Sequence, residues 1–554
     1  MILSAASLLL GRAFPTPANV ASDPKFQIAV KSFDALLSTH LSDSGANQNT
    51  SFSISVFSAS DPGLLYERHH TSEIVTQASF GTNKVNADSI YRIGSISKVL
   101  TVYTFLIQVG DRHLNEPITD YVPELLEMRG HVNPDPNWEE ITLSELASHL
   151  SGISRDYGLN DFSVHEYEMV AGYPRLRPSL LPPLIVADKP VCGYLDKNGT
   201  YVTCDQNDLI RGLANAPAVF PPSYTPAYCN DGFVLFALAL ERMKQEPFEN
   251  IFNRSILEPL TLRQSSYNVP SPAQMLYGVV PGNPSQCGWN NEFGAFSPAG
   301  ANYMSLNDIS TLGKSILRSD LISKAQTRRW LKPKSHLADT SKAVGMPWEI
   351  ERVQVGDRVV ELYTKDGDWN VYSSKIALIP EYDLGFSILT ASDAVPLKQQ
   401  AGLQVISGVR NGIVQLLLPT LEDIAKERAT QSFVGLYEST GDVPHSIILE
   451  ADSRPGIRLT KWIYNGTDIL QELGRPFSRS GQAVDCRLQP NGLNNNNALG
   501  FNGLCSGDAW ETVNLFRYGN VGLDQFVFDL DSGGMAVSLQ LKALRAVLKR
   551  VPIP

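Results

Sequence analysis

The chain has 554 residues, of which 43% are hydrophobic and 19% charged, which is the composition of a globular protein long enough for two domains. Its formal net charge is −11. Nucleic acids and anionic membranes select basic surfaces, so this charge argues against both as partners but says nothing about small substrates. No apolar run reaches the roughly 18 residues that a membrane span needs, so we expect no membrane span.

Residues 1–25 are expected to be a signal-like or disordered N-terminus. Residues 2–10 are apolar, but no basic residue precedes them and the small-residue cleavage pattern is poor. The sequons at Asn49, Asn198, Asn253 and Asn465 are about as many as chance gives. We expect a secreted, glycosylated protein, with a cytoplasmic protein as the alternative.

The stretch 26–415 is predicted to be an α+β domain, in which an antiparallel sheet is flanked by helices. A strand is expected at 51–60, because the run is β-rich and ends in a turn signal. The apolar residues after Ser95 repeat at helical spacing up to Gly110 and predict a buried helix. Further helices are predicted at 142–153, 229–245 and 305–317, and strands between 346 and 391.

Residues 155–225 are rich in Pro, Tyr and Gly, and are predicted to be an insertion. Asn198-Gly199 is a strong hairpin signal between Cys192 and Cys204, so a disulfide between these two is expected. Cys486 and Cys505 bracket a loop and are the second expected pair. Cys229 and Cys287 have no evident partner, and six reduced, buried thiols are the alternative.

The C-terminal part has a different sequence pattern. Residues 416–430 are predicted to be a helical linker. Short alternating strands then fill 431–554, which predicts a small antiparallel β domain, either a barrel or a sandwich.

Ser95 and Lys98 form a Ser-x-x-Lys string at the start of the predicted buried helix. Three residues are nearly one helical turn, so the amine lies within reach of the hydroxyl, and burial would lower its pKa. The lysine could then take the serine proton. The string alone is weak, because it recurs at Ser22 and Lys25, and an N-cap serine beside a solvated lysine is the alternative.

The surrounding sequence is more specific. The segments that carry a resemblance, in chain order, are YRIGSISKVLTVYTFLIQVGDRHLNEPITDYVPEL, ITLSELASHLSGI, PPSYTPAYCNDGFVLFALALE, SPAGANYMSLNDISTLGKSIL, VGMPWEI and YTKDGDWNVYSSKIALIPEYDLGFSILTAS. Together they resemble the serine β-lactamase and penicillin-binding-protein superfamily, in the branch of class C β-lactamases, D-alanyl-D-alanine carboxypeptidases and esterases. The likeness covers roughly residues 30–415. It implies a β-lactamase/transpeptidase-like domain with an all-helical subdomain.

The resemblance implies a role for each matching residue. Ser95 would be the acylated nucleophile, Lys98 would accept its proton or lower its pKa, and Tyr228 would shuttle a proton to the leaving group. Asn230 would hydrogen-bond Lys98 and the substrate, and Lys365 would supply positive charge to the cleft. Asp368, which follows Gly367, would share the oxyanion hole with Ser95 through its backbone N–H. In isolation, Tyr-x-Asn is more often a strand end, and Lys-Asp-Gly a hairpin turn.

Two departures from the family pattern bear on the substrate. Asp366 stands where a small or hydroxyl residue is usual, and Asp368 follows it. These carboxylates would offset the charge of Lys365 and disfavour carboxylate-bearing β-lactams or D-Ala-D-Ala peptides. Cys229 lies inside the Tyr-x-Asn motif and is expected to be a buried small residue, and His149 is expected to be structural.

The sequence therefore predicts a serine hydrolase that acts through an acyl-Ser95 intermediate on an ester, amide or lactam. The substrate would be a small or peptide-like acyl donor. The long insertion and the small β domain resemble those of eukaryotic or fungal members of the superfamily, which implies a substrate from secondary metabolism. An acyltransferase using the same acyl-enzyme and a non-catalytic binding protein are the alternatives. No metal-ligand spacing or phosphate-binding loop is present, so no cofactor or metal is expected. The oligomeric state is left open.

Overall fold

The computed structural model describes residues 11–130, 134–164, 181–185, 189–196, 200–393, 399–439, 441–474, 484–495, 497–505 and 509–552. These residues form seventeen α-helices, besides short 3-10 and π turns. The helices are α1 Pro24–Asp43, α2 Ala46–Asn49, α3 Glu73–Thr76, α4 Ser97–Val109, α5 Glu124–Glu127, α6 Leu143–Ala147, α7 Gln206–Ala214, α8 Asp231–Lys244, α9 Phe248–Phe252, α10 Pro272–Met275, α11 Ser297–Gly300, α12 Leu306–Arg318, α13 Lys324–Trp330, α14 Gln399–Gly412, α15 Leu418–Phe433, α16 Ile469–Gly474 and α17 Ala509–Thr512.

The same described residues form 24 strands. They are β1 Thr50–Ser58, β2 Leu64–His70, β3 Ile90–Arg92, β4 Tyr194–Leu195, β5 Tyr201–Val202, β6 Ser265–Ser266, β7 Tyr303–Ser305, β8 Ser335–His336, β9 Lys342–Val344, β10 Glu349–Val355, β11 Arg358–Trp369, β12 Tyr372–Ile379, β13 Leu384–Ser392, β14 Gly435–Ser439, β15 His445–Glu450, β16 Ile457–Tyr464, β17 Thr467–Asp468, β18 Cys486–Asn495, β19 Ala498–Leu504, β20 Arg517–Tyr518, β21 Val521–Gly522, β22 Gln525–Leu530, β23 Ala536–Leu541 and β24 Ala546–Val551.

The chain divides into two units. The larger unit comprises the described residues of Asp34–Val353 and Glu361–Gly412, and the smaller unit those of Met1–Phe33, Gln354–Val360 and Ile413–Pro554. The domain boundaries expected from the sequence remain a prediction. The predicted helical linker, 416–430, falls mostly within α15.

The larger unit is built on an eight-stranded sheet with the order β2-β1-β13-β12-β11-β10-β9-β8. Strand β11 pairs antiparallel with β12, so that Lys365 lies opposite Ile376 and Asp366 opposite Lys375. Helices surround this sheet, and the predicted α+β class and β-lactamase/transpeptidase-like fold are confirmed.

Helix α4 is the centre of the helical part. Its residues from Ser97 to Leu106 are all buried, and it packs against α8, α9 and α11. The helix ends where the sequence predicted, because Gly110 takes a positive φ of 72° and its N–H caps Leu106. A helix this apolar is stabilised by burial on all sides, and its first turn is therefore a rigid platform for Ser95 and Lys98.

In the predicted insertion, β4 and β5 pair antiparallel and Cys192 is bonded to Cys204, with 5.1 Å between the Cα atoms. The expected disulfide is confirmed, while Asn198-Gly199 lies outside the described residues. Cys486 is bonded to Cys505, as expected, and Cys229 and Cys287 are free and buried. Two disulfides are typical of proteins from oxidising compartments.

The smaller unit contains a closed antiparallel barrel. Its strands follow the order β15-β14-β24-β23-β22-β19-β18-β16, and a β15–β16 pairing closes the ring, with β17 added beside β16. The predicted alternation is visible in β15, in which every second side chain is buried. Of the two architectures predicted for this β domain, the structure has the barrel. Its core contains Tyr437, Trp462, Phe501 and Phe528.

One helical stretch among the described residues, Ala401–Phe433, is long and apolar enough to cross a membrane by length and composition alone. Core helices of soluble proteins pass the same test, and 44% of its most apolar window is buried inside the protein. This is weak evidence, and the expectation of no membrane span stays a prediction.

Candidate active site

Ser95 lies in a tight turn that precedes α4 and contacts strand β11. Gly94 has a positive φ of 49°, and a Cβ there would lie 2.6 Å from the backbone N of Asp368. A Cβ on Gly367 would lie 2.0 Å from the carbonyl oxygen of Ile93 and 2.9 Å from the backbone N of Ser95. Only glycine fits at both positions, so the two glycines bring the amides of Ser95 and Asp368 into adjacent segments.

The hydroxyl of Ser95 is the meeting point of two side chains. The Nζ of Lys98 donates to it over 2.9 Å, and the hydroxyl of Tyr228 donates over 2.7 Å. Lys98 also donates to the carbonyl of Ala299 over 2.6 Å, which fixes the ammonium group beside the serine. The structure thus brings together the three residues that the sequence predicted to be catalytic.

The protonation of this group is set by burial and by positive charge. Burial lowers the pKa of Lys98, and the neighbouring charge of Lys365 lowers it further against the opposing effect of Tyr228. Burial alone would raise the pKa of Tyr228, but Lys365 and then Lys98 outweigh it and hold this pKa below its usual value. Both amine nitrogens lie 5.1 Å from the centre of the Tyr228 ring. The site therefore favours transfer of a proton among these groups.

Lys365 is buried and does not face the cleft as an unpaired charge. Its Nζ bonds the carboxylate of Glu349 over 2.5 Å and the carbonyl of Asp366 over 2.9 Å. Glu349 also accepts the N–H of Asp366 over 3.0 Å. Burial opposes the charge of Lys365, but Glu349 and then Tyr228 overcome this effect and raise its pKa, so it stays protonated. Glu349 thus offsets most of the charge that Lys365 could offer an anionic substrate.

The two aspartates beside Lys365 have partners of their own. Asp366 lies 2.7 Å from the Nζ of Lys375, and Asp368 accepts from the hydroxyl of Ser373 over 2.6 Å. Lys375 is shared with Glu351 at 3.2 Å. Burial raises the pKa of both aspartates. Along the edge of β11 that lines the site, carboxylate groups therefore outnumber the cations that have no partner.

Asn230 is held away from the expected bond to Lys98. Its side-chain amide donates to Asp156 over 2.5 Å, while the described hydrogen bonds of Lys98 go to Ser95 and Ala299. The physical reason is that Asp156 is almost fully buried and needs donors, and Asn230 and Arg155 supply them. Asn230 therefore anchors the start of the insertion beside the site.

Cys229 and His149 occupy the places expected of structural residues. The thiol of Cys229 is buried, contacts the carbonyl of Ser154 at 3.0 Å, and burial raises its pKa. The Nδ1 of His149 accepts the Cys229 N–H over 3.0 Å, and its ring stacks on Tyr228. The sequence-based reading of both residues as structural stays a prediction that these contacts support.

Sequence reasoning missed three residues of this site. Glu349 belongs to VGMPWEI, one of the segments that carry the family resemblance. Its contact with Lys365, however, depends on the register between β10 and β11. Asp156 and Arg155 begin the insertion, and the Arg155 guanidinium lies 4.6 Å from the Tyr228 ring centre. The only signal in the sequence was that these three residues are charged, and charged residues are common on protein surfaces.

Comparisons with known proteins identify the family of this chain. The family model described as Beta-lactamase matches residues 62–406. The chain belongs to the beta-lactamase family. A second family model, described as the C-terminal domain of beta-lactamase-like proteins, matches residues 425–552, the region of the barrel.

Among curated relatives, a beta-lactamase-like protein from Arthroderma benhamiae is 30% identical, with 97% of this chain and 94% of that protein covered. The probable hydrolase clz13 from Cochliobolus lunatus is 26% identical over 88% of this chain and 78% of that protein. Among solved structures, the octameric penicillin-binding protein homologue from Pyrococcus abyssi is 16% identical, with a TM-score of 0.49 over 94% of this chain and 99% of that one. The beta-lactamase family to which this chain belongs is one of serine hydrolases.

Proposed function

We propose that this protein is a serine hydrolase in which Ser95 forms an acyl-enzyme with an ester, amide or lactam. The observation that carries the proposal is the pair of hydrogen bonds on the Ser95 hydroxyl, from Lys98 at 2.9 Å and from Tyr228 at 2.7 Å. A nucleophilic serine needs a base within hydrogen-bond reach, and two candidates are in place.

In the acylation step, the Ser95 oxygen attacks the carbonyl carbon while its proton passes to the Tyr228 phenolate or to neutral Lys98. The oxyanion that forms is stabilised by the backbone N–H groups of Ser95 and Asp368. The bond to the leaving oxygen or nitrogen then breaks, and Tyr228 returns the proton to that atom. In deacylation, Tyr228 takes a proton from water while the water oxygen attacks the acyl carbon. The bond between that carbon and the Ser95 oxygen then breaks, Tyr228 returns the proton to the Ser95 oxygen, and the free acid leaves.

The charges around Lys365 support a substrate without a carboxylate next to the scissile bond. Lys365 is already paired with Glu349 and Lys375 with Asp366, and Asp368 adds a carboxylate at the same edge. A carboxylate placed there would be repelled and would lose hydration without gaining an unpaired cation. We therefore include a neutral acyl donor, such as a secondary metabolite, in the proposal.

The test is intact-mass analysis after mixing the protein with a short-chain p-nitrophenyl ester. We expect an acyl adduct or turnover in the wild type and neither with Ser95→Ala. Ser22→Ala is the matched control, because Ser22 and Lys25 repeat the spacing at an exposed position outside the site. If wild type and Ser95→Ala behave alike across several acyl donors, the proposal fails and the non-catalytic binding protein takes its place. Adding an alcohol or amine acceptor separates hydrolysis from acyl transfer by the product formed.

A further inference from the structure

A cavity of about 440 Å³ opens in the larger unit beside helices α7, α8 and α9. Ser95, Lys98 and Tyr228 are not among the residues that line it. One wall is made by Ser297 and Pro298, which directly precede the Ala299 carbonyl that holds Lys98. The cavity is therefore a separate space that neighbours the active site.

Its lining combines an apolar interior with acidic residues. Buried apolar side chains of α7, α8 and α9 contribute the interior, among them Leu209, Ile210, Leu238 and Phe248. Four carboxylates line it as well, those of Asp205, Glu241, Glu249 and Glu292. The lining, drawn wholly from described residues, contains no lysine, arginine or histidine. The cavity therefore presents negative charge next to an apolar surface.

Tyr267 supplies an independent observation. Its side chain lines the cavity and is only 7% exposed, and its hydroxyl makes no hydrogen bond with any described residue. Burial raises the pKa of Tyr267 well above its usual value, and the neighbouring charges of Glu241 and Glu249 act in the same direction. The hydroxyl is therefore a neutral, unpaired polar group close to two carboxylates. The hydroxyl is not among the unbonded side-chain atoms that are shut off from solvent, so a ligand or a water molecule in the cavity can hydrogen-bond to it.

The carboxylates differ in how many hydrogen bonds they already accept from the protein. Glu241 already accepts from Gln206 and from the Phe248 N–H, which ties it to the helices. Glu249 and Glu292 are exposed residues at the cavity. Glu249 accepts one hydrogen bond, from Asn268 over 3.1 Å, and Glu292 makes no hydrogen bond or ion pair with a described residue. Glu249, Glu292 and the Tyr267 hydroxyl are thus the groups that a ligand can use.

We propose that this cavity is a binding site for an organic ammonium ion with an apolar body. The ammonium group would donate to the Tyr267 hydroxyl and lie against Glu249 and Glu292, and the apolar body would cover the interior between α7 and α8. An organic cation suits the space better than a metal ion. The carboxylates of the lining do not form a metal site, because no group of three or more side chains that could hold a metal ion occurs among the described residues, and the rest of the lining is largely apolar. The proposal does not depend on the chemistry at Ser95.

The test is a calorimetric titration with benzylammonium, the protonated form of benzylamine, near neutral pH. Benzyl alcohol and benzoate are the neutral and anionic probes of the same shape. All titrations use the full chain carrying Ser95→Ala, so that acyl chemistry plays no part. Tyr267→Phe removes only the hydroxyl, Glu249→Gln removes only a charge, and Glu127→Gln is the matched control at an exposed glutamate outside the cavity. Circular dichroism checks that each variant folds.

We expect saturable binding of benzylammonium that weakens as salt is added, with much weaker binding of the alcohol and none of benzoate. Tyr267→Phe and Glu249→Gln should each lower the affinity by roughly three- to tenfold, and Glu127→Gln should leave it unchanged. The proposal is overturned if benzylammonium shows no saturable binding, if benzyl alcohol binds as tightly, or if the folded Tyr267→Phe and Glu249→Gln variants bind like the parent protein.

Discussion

The imidazole of His149 stacks on the ring of Tyr228, with 4.4 Å between the ring centres and 22° between their planes. His149 adopts a positive φ of 61°, and its Nδ1 accepts the N–H of Cys229, the residue after the tyrosine. Burial and the charges of Lys365 and Lys98 hold the pKa of His149 well below its usual value, so the ring is neutral. These contacts support a positioning role for His149 beside Tyr228.

Replacing His149 should therefore impair the reaction without abolishing it. We expect kcat to fall by about tenfold with His149→Phe, which keeps a stacking ring, and by more with His149→Ala. Steady-state kinetics with one p-nitrophenyl ester measure both variants. Loss of all turnover in a folded His149→Phe protein would instead identify His149 as the base.

Removing the charge of Lys365 should move the pH dependence of the reaction. Lys365 is the stronger of the two cations that lower the pKa of Tyr228, and Glu349 acts in the opposite direction. In Lys365→Gln, the phenolate loses its main stabilisation and its pKa rises, so the acid limb of kcat/KM should shift to higher pH.

The double variant Lys365→Gln/Glu349→Gln is the control, because it leaves no unpaired buried charge. It also removes the charge that raises the pKa of Tyr228, so its acid limb should lie between those of the wild type and of Lys365→Gln. An acid limb that stays in place in both variants would show that Tyr228 is not the group titrating.

Glu349 should determine how the enzyme treats anionic substrates. Two esters of similar size, p-nitrophenyl butyrate and p-nitrophenyl hemisuccinate, differ mainly by a carboxylate. The wild type should prefer the neutral ester, and Glu349→Gln should narrow the ratio of the two kcat/KM values by roughly three- to tenfold, because Lys365 is then unpaired. Asp366→Thr should act in the same direction. The ratio is taken at one pH, so changes in the titration of Tyr228 cancel, and an unchanged ratio would contradict the assignment.

The close contact of Gly367 with the turn at Ser95 predicts a sharp loss of activity on adding one methyl group. In Gly367→Ala, the Cβ would lie 2.0 Å from the Ile93 carbonyl, so strand β11 must move away and take the Asp368 N–H with it. Loss of one oxyanion donor costs about 10²–10³-fold in kcat. Gly63→Ala is the control, because a Cβ there meets no atom within 4 Å. Equal activity of the two variants would show that the Asp368 N–H is not part of the oxyanion hole.

Asp231 should make the stability of the protein depend on pH. It is fully buried and accepts from the Ser154 hydroxyl and the Tyr157 N–H, and burial, reinforced by Asp156, raises its pKa from 3.8 to about 8. The unfolded chain loses this proton near pH 4 while the folded protein keeps it, so the free energy of unfolding should fall as pH rises from about 4 to about 8.

The variant Asp231→Asn mimics the protonated carboxyl and should not lose stability in this way. Its melting temperature should exceed that of the wild type more at pH 8 than at pH 5. Asp120→Asn, at an exposed position, should follow the wild type at both values. Parallel curves for wild type and Asp231→Asn would show that the Asp231 proton is lost at the same pH in both states.

The parts of the fold that depend on local pattern could be predicted from the sequence. The helix that follows Ser95, the helix predicted at 305–317 and the strands of the barrel all follow from hydrophobic period and turn residues. Ser95, Lys98 and Tyr228 could be assembled because ordered motifs identified their segments. The partners of those residues could not, because Glu349 meets Lys365 only through the register of two strands.

Asn230 is a second case in which the sequence did not predict the partner of a site residue. The motif predicted a bond to Lys98, but the side chain bonds Asp156, a residue that belongs to the insertion. Insertions carry no periodic pattern, so the sequence gives neither their path nor the side chains that they bring to the site. The pairing of Cys192 with Cys204 could be predicted, because the hairpin signal lies between them.

The closed ring of strands in the smaller unit has a consequence for how it meets other molecules. An open sheet exposes unpaired backbone groups along its outer strands, and a second chain can add a strand there. In this barrel the β15–β16 pairing uses those groups, and the short β17 covers part of β16. Recognition along the strands of this ring must therefore use side chains and loops, and surface substitutions there can change specificity without risk to the backbone pairing that holds the ring together.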